Sequence, residues 1–200
     1  MFLFAADLDS DLDLFAANGH VQPMIESVTD NIDFKQPPHL FENLGDGTFD
    51  DIVPKIGGDL AVPVAGRGAS FGDVDNDGDI DILVAENNGP AYLFINESDR
   101  SGSFLRVNLR GKQSNYDGID AEVTVTAGDA RITRRVRTGG SFMSNSEKTV
   151  TFGVPVARID SLVVRWPSGQ IDRYAGIDSD QTVTLTEGDT SAIDNATRSR

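Results

Sequence analysis

Apolar residues along this chain recur at every second position far more often than at every third or fourth. Short runs rich in Val, Ile, Phe and Thr alternate with polar residues and stop at Gly, Asn or Asp, the period of strands that bury one face. The pattern predicts strands over residues 12–17, 39–43, 69–72, 80–86 and 91–96 in the first half. In the second half it predicts them over residues 104–109, 121–127, 130–137, 149–152, 158–165, 171–174 and 182–186. Helical periodicity nowhere exceeds one or two turns, and the best candidate is the short run around Met24. The predicted class is therefore all-β. Asp46-Gly47, Asn88-Gly89 and Gly128-Asp129 sit between such runs, where residues tolerant of positive φ make tight hairpins. Residues 21–38 read as a long loop, and residues 189–200 lack periodicity and read as a disordered tail.

The alternation also repeats on a larger scale. "DLDLFAANGH" at residues 11–20 corresponds to "DIDILVAENNG" at 79–89, and each is followed by a strand carrying Leu-Phe and Asn. A unit made of an Asp-rich loop, a strand, a turn and a further strand is the pattern of a β-propeller blade. Residues 1–102 hold one to two such units, whereas a closed propeller needs about four to eight. Open sheet edges are therefore expected, either as part of a longer protein or paired by other copies through self-association.

Charge separates the halves further. Residues 1–100 carry a formal balance of −16 and residues 101–200 a balance of +1. Such an acidic first half repels phosphate, which argues against nucleic acid or anionic lipid as a partner, and it suits cations. The chain has no cysteine, so disulfide scaffolds and thiol catalysis are excluded. It has no run of about eighteen apolar residues to span a membrane. The apolar start "MFLFAADLD" is too short and too acidic to be an intact signal peptide.

The negative charge is concentrated in "DVDNDGDID", five aspartates within nine residues. Asp73, Asp75 and Asp77 at loop positions one, three and five point inward when the backbone wraps a centre, and Gly78 permits the sharp turn. Asp79 offers its backbone carbonyl with its side chain facing out, and Asp81 closes the shell from the following strand. Hard oxygen donors of this kind select Ca²⁺ over zinc or copper. No Glu stands at position twelve and no helices flank the loop, so it is not an EF-hand.

The run "FGDVDNDGDIDILVAENNGPAYLFIN", with "LFENLGDGTFDDI" before it, resembles the FG-GAP/VCBS-type repeats, calcium-binding propeller blades. The stretches "FLRVNLRGKQSNYDGIDAEVTV", "RVRTGGSFMSNS", "RIDSLVVRWPSGQID" and "DQTVTLTEG" resemble the ASPIC/UnbV domain that follows such repeats in cartilage acidic protein-like chains. These resemblances imply partial propeller-like blades over residues 1–102 and a β-sandwich-like ASPIC/UnbV domain over 103–188. They imply an extracellular protein, secreted or at the cell surface, that binds Ca²⁺ and has no established catalytic activity. The expected role is a non-enzymatic adhesion or matrix interaction module with a protein or glycan partner. The alternatives are a structural subunit of a calcium-dependent filament or surface assembly, and an accessory protein or enzyme of secondary-metabolite biosynthesis.

The shorter "DLDSDLDLF" offers a weaker second site. Aligned on its strand, Asp11 and Asp13 match Asp79 and Asp81, while Asp7 and Asp9 match Asp73 and Asp75, with two residues missing. On that alignment the loop lacks its glycine and one ligand. Other features have plainer readings. His20 and His39 are far apart and without metal-ligand spacing. "RITRRVR" at residues 131–137 is a surface strand with some capacity for an acidic glycan. Ser141, Ser144 and Ser146 have no base nearby, Trp166 is a core anchor, and Asn96 and Asn195 head glycosylation sequons.

Overall fold

The alternating runs pair into four main sheets arranged in two units, as seen in a computed structural model that describes residues 1–190 and the backbone of 194–198. The first unit opens with β1 (Phe2–Phe4), β2 (Asp13–Ala16), β3 (His39–Asn43) and β4 (Phe49–Asp51), an antiparallel sheet in chain order. Its second sheet is β5 (Gly66–Gly72), β6 (Asp81–Glu86) and β7 (Ala91–Phe94). Between them lie a one-turn helix, α1 (Val53–Ile56), and a 3₁₀ turn at Gly58–Ala61. The helical candidate near Met24 forms only a 3₁₀ turn, Ile25–Ser27.

The two sheets pack face to face. Phe2, Phe4, Phe15 and Leu40 from one meet Ala69, Ile82 and Val84 from the other, and the rings of Phe2 and Phe71 lie 4.9 Å apart. Neither sheet closes into a barrel. The opposite faces carry Leu3, Leu14 and Phe41 in one cross-strand row and Leu83 opposite Leu93 in another.

The second unit contains β8 (Ser103–Arg110), β9 (Glu122–Ala127), β10 (Ala130–Arg135), β11 (Gly140–Ser141), β12 (Ser144–Asn145), β13 (Val150–Val154), β14 (Arg158–Arg165), β15 (Ile171–Asp178) and β16 (Gln181–Thr186). Within the tail that lacks periodicity, β17 (Asp194–Arg198) runs beside β16; the tail's residues 191–193 and 199–200, and the side chain of Asn195, lie outside the described residues. One sheet has the order β13-β8-β16-β17 and the other β10-β9-β14-β15. Val123, Val125, Leu162 and Val164 alternate inward from one sheet to meet Leu105, Val107, Val183 and Leu185 from the other, the interdigitated core of a sandwich. Strand β16 pairs with β8 in parallel while the other strand pairs of the sandwich are antiparallel.

One edge expected to be open is covered. The free side of β5 receives the β11–β12 hairpin of the second unit, so a Cβ on Gly68 would lie 2.6 Å from the Ser144 hydroxyl. Just beyond, the Phe71 N–H donates to the Ser146 hydroxyl at 3.2 Å and Glu147 N–H donates to the Phe71 carbonyl at 3.1 Å. Covering a strand edge in this way removes a template for unwanted pairing. No described helix is long and apolar enough to cross a membrane.

Candidate metal centre

Strand β5 ends at Gly72 and β6 begins at Asp81, and the aspartate-rich loop fills the interval. The alternation folds into a coil because each short carboxylate caps backbone ahead of it. Asp75 accepts the Asp77 N–H at 3.3 Å, Asp77 accepts that of Asp79 at 2.9 Å, and Asp73 accepts that of Gly78 at 3.0 Å. Asn76 and Gly78 take φ of 64° and 104°. Gly78 is required twice over, since a Cβ there would lie 2.2 Å from the Phe104 ring. Asp81 is buried and accepts the Val74 N–H at 2.7 Å and the Asn96 N–H at 2.9 Å. The result brings oxygens of Asp73, Asp75 and Asp81 within 4.8 Å of one another. The Asp73 side chain is 1% exposed and its Oδ1 has no hydrogen-bond partner. A buried orphan oxygen beside two further carboxylates fits a hard divalent cation.

The first loop follows the same path, which corrects its alignment. Asp13 is buried and accepts the Ala6 N–H at 2.9 Å and the Asn43 N–H at 3.0 Å, the counterparts of the two bonds to Asp81. Leu8 and Ser10 take φ of 63° and 95°, matching Asn76 and Gly78. Asp7, Asp9, Asp11 and Asp13 therefore correspond to Asp75, Asp77, Asp79 and Asp81 without a gap. The turn expected to fail without glycine is made by Ser10. What the loop lacks is its first ligand, because Ala5 stands where Asp73 stands in the second loop. Among the described residues the four aspartates of 7–13 do not converge as Asp73, Asp75 and Asp81 do. Burial, then the charges of Asp9 and Asp13, push the Asp11 carboxyl up to about 6. The Arg134 guanidinium of β10 sits over the loop, donating to the carbonyls of Ser10 and Asp11 at 3.4 and 3.2 Å.

Comparison with known proteins agrees with this repeat. Residues 6–84 match the family described as FG-GAP-like repeat, and residues 111–192 match the family described as ASPIC and UnbV. In sequence order the chain is thus similar to an FG-GAP-like repeat and then to an ASPIC/UnbV domain. Over 78 residues it is 40% identical to Cartilage acidic protein 1 of Xenopus tropicalis, a match covering 38% of this chain and 12% of that protein. The chain thus spans a small part of that relative's length.

The FG-GAP loop is held by two arginines that sequence spacing does not reveal. Arg106, on the first strand of the sandwich, places Nη1 2.7 Å from Asp73 and Nη2 2.6 Å from Glu147. Arg100, on the segment joining the units, places Nε 2.8 Å from Asp79 and Nη2 3.1 Å from Asp77. The same Nη2 donates to the Asp77 carbonyl at 2.8 Å, and the guanidinium lies 5.6 Å from the Phe104 ring centre. The Asp79 side chain, expected to face solvent, is instead buried against Arg100. Burial pushes the Asp73 and Asp79 carboxyls up, and Arg106 and Arg100 respectively oppose that shift. Thus Asp77 and Asp79 engage Arg100 while Asp73, Asp75 and Asp81 converge.

The remaining candidates find structural partners. His39 Nδ1 lies 2.6 Å from Asp51 and stacks on Phe41, while His20 Nδ1 receives the Gln22 N–H. Trp166 is buried and its indole N–H donates to buried Asp172 at 2.7 Å. Arg135 of the basic strand pairs with both Asp120 and Glu122. Ser144 donates to the Phe142 carbonyl, and Ser146 caps β5. Glu86, unremarked in the sequence, holds Lys35, the Ala65 N–H and the Tyr92 hydroxyl, which bring its carboxyl down to about 2.

Proposed function

We propose that this chain is a non-enzymatic, calcium-stabilised extracellular module for adhesion or matrix interaction, secreted or displayed at the cell surface. The observation that carries the reading is the convergence of Asp73, Asp75 and Asp81 around a buried, unpartnered Asp73 oxygen. Asp77 and the Asp79 backbone carbonyl complete the proposed ligand set. Similarity to Cartilage acidic protein 1 supports the extracellular placement, and a protein or glycan at the surface or matrix is the proposed partner. Ca²⁺ in this role cross-links loop to strand, so binding stabilises the folded chain by mass action, about 2.7 kcal/mol at a hundredfold excess over Kd. Calorimetric titration with Ca²⁺ should give saturable uptake that Asp73→Asn abolishes, and chelator should lower the melting temperature. A melting temperature identical in Ca²⁺ and in chelator refutes the role.

A second reading, a structural subunit of a calcium-dependent assembly, draws on the two outer sheet faces. Leu3 is 52% exposed, and Leu83 and Leu93 are 43% and 48% exposed, where a further blade or a second copy would bury them. Sedimentation of a monomer at all concentrations, with and without Ca²⁺, excludes it.

A further inference from the structure

The first aspartate of the FG-GAP loop is held from the other unit. Arg106 stands on β8, 5% exposed, and its guanidinium forks between Asp73 Oδ2 and Glu147 Oε2. Its Nε lies 3.4 Å from the Thr151 hydroxyl. One cation is therefore divided between two carboxylates, and each keeps a buried oxygen without a hydrogen bond, Asp73 Oδ1 and Glu147 Oε1. The backbone fixes the arrangement: Glu147 N–H donates to the Phe71 carbonyl, and the Glu147 side chain runs beside Gly72, 3.6 Å from where a Cβ there would lie. A buried guanidinium with bidentate reach holds such a fork in a way an ammonium cannot.

We propose that Arg106 is a resident counter-ion of the Asp73–Asp75–Asp81 site, supplied by the sandwich and shared with Glu147, and that it sets the site's affinity for Ca²⁺. The inference rests on the calcium reading above. Without Ca²⁺ the guanidinium offsets Asp73 and lets the carboxylates stay together. The same positive charge opposes an incoming divalent cation. Glu147 draws part of that charge away from Asp73. The two residues therefore push the affinity in opposite directions, which mere loosening of the interface does not.

Calcium titration calorimetry on the full chain, with melting curves in chelator, tests this. Arg106→Met should bind Ca²⁺ about tenfold more tightly, because a unit charge beside a divalent cation is removed, while melting lower in chelator. Glu147→Gln should bind several-fold more weakly, since Arg106 is then left to Asp73 alone. Arg106→Lys, which keeps the charge, should stay within about threefold of the parent. Weaker or unchanged binding by Arg106→Met, or shifts of the same sign in both variants, overturns the role of Arg106. Should Arg106→Met not fold, Glu147→Gln decides, and binding at or above the parent's affinity overturns the proposal. A parent chain that takes up no Ca²⁺ overturns the calcium reading itself.

Discussion

Glu187 offers the sharpest test of how the ASPIC/UnbV unit is held together. It follows β16, is 3% exposed, and its Oε2 receives the N–H groups of Lys112, Gln113 and Ser114, each at 2.7 Å. Its Oε1 accepts the hydroxyls of Ser114, at 2.9 Å, and Ser168. Burial pushes this carboxyl up, but the Ser168 hydroxyl and the three N–H groups outweigh it and bring it from 4.5 to about 2. At 1.36 kcal/mol per pH unit, the ionised form contributes about 3 kcal/mol. Because the folded value lies below the unfolded one, that contribution is present above pH 4.5 and is lost as pH falls toward 2. About 2 of the 3 kcal/mol should be gone by pH 3. Glu187→Gln keeps the shape and removes the charge. Urea unfolding in calcium-free buffer, followed by fluorescence of the single tryptophan, should show the variant about 3 kcal/mol less stable at pH 7. The gap should narrow to about 1 kcal/mol near pH 2.5. A gap that does not change with pH, or one below about 0.5 kcal/mol at pH 7, refutes the reasoning.

Two further predictions concern the paired loops. Asp13→Ala orphans the N–H groups of Ala6 and Asn43 and should cost about 2–4 kcal/mol in urea unfolding without any cation present; a loss under about 1 kcal/mol contradicts the shared geometry of the loops. Ser10→Gly should stabilise the chain by about 1 kcal/mol by relieving a side chain at φ 95°. Gly78→Ser should instead be strongly destabilising, because its Cβ meets the Phe104 ring, and equal effects of opposite sign at the two sites would count against that distinction.

The strands of the sandwich were legible because each has one buried face. Residues 158–165 were predicted as a strand and form β14 with the same bounds, Ile159, Leu162 and Val164 turning inward. Strand β1 was not legible, since three residues of "FLF" carry no period, and neither was β4, whose "FDD" turns no apolar stripe inward. The acidic loop announced itself through its spacing. The register of its twin was also in the sequence, since the aspartates of both loops align without a gap once serine is allowed at the glycine position. The requirement for glycine misled because Gly78 answers to the Phe104 ring as well as to φ. Arg100, Arg106 and Glu147 gave no signal, because only the docking of distant strands brings them to the loop.

The parallel pairing of β8 with β16 ties the first strand of the sandwich to residues far along the chain, Leu105 opposite Gln181. Until residue 181 has left the ribosome, β8 lacks its neighbour on that side, although β13 can already lie on the other. Contacts of such long sequence separation form late and slowly. Arg106 lies on that same β8, so the acidic loop, complete in sequence by residue 81, must wait about a hundred residues of synthesis before the strand that presents its counter-ion is enclosed on both sides.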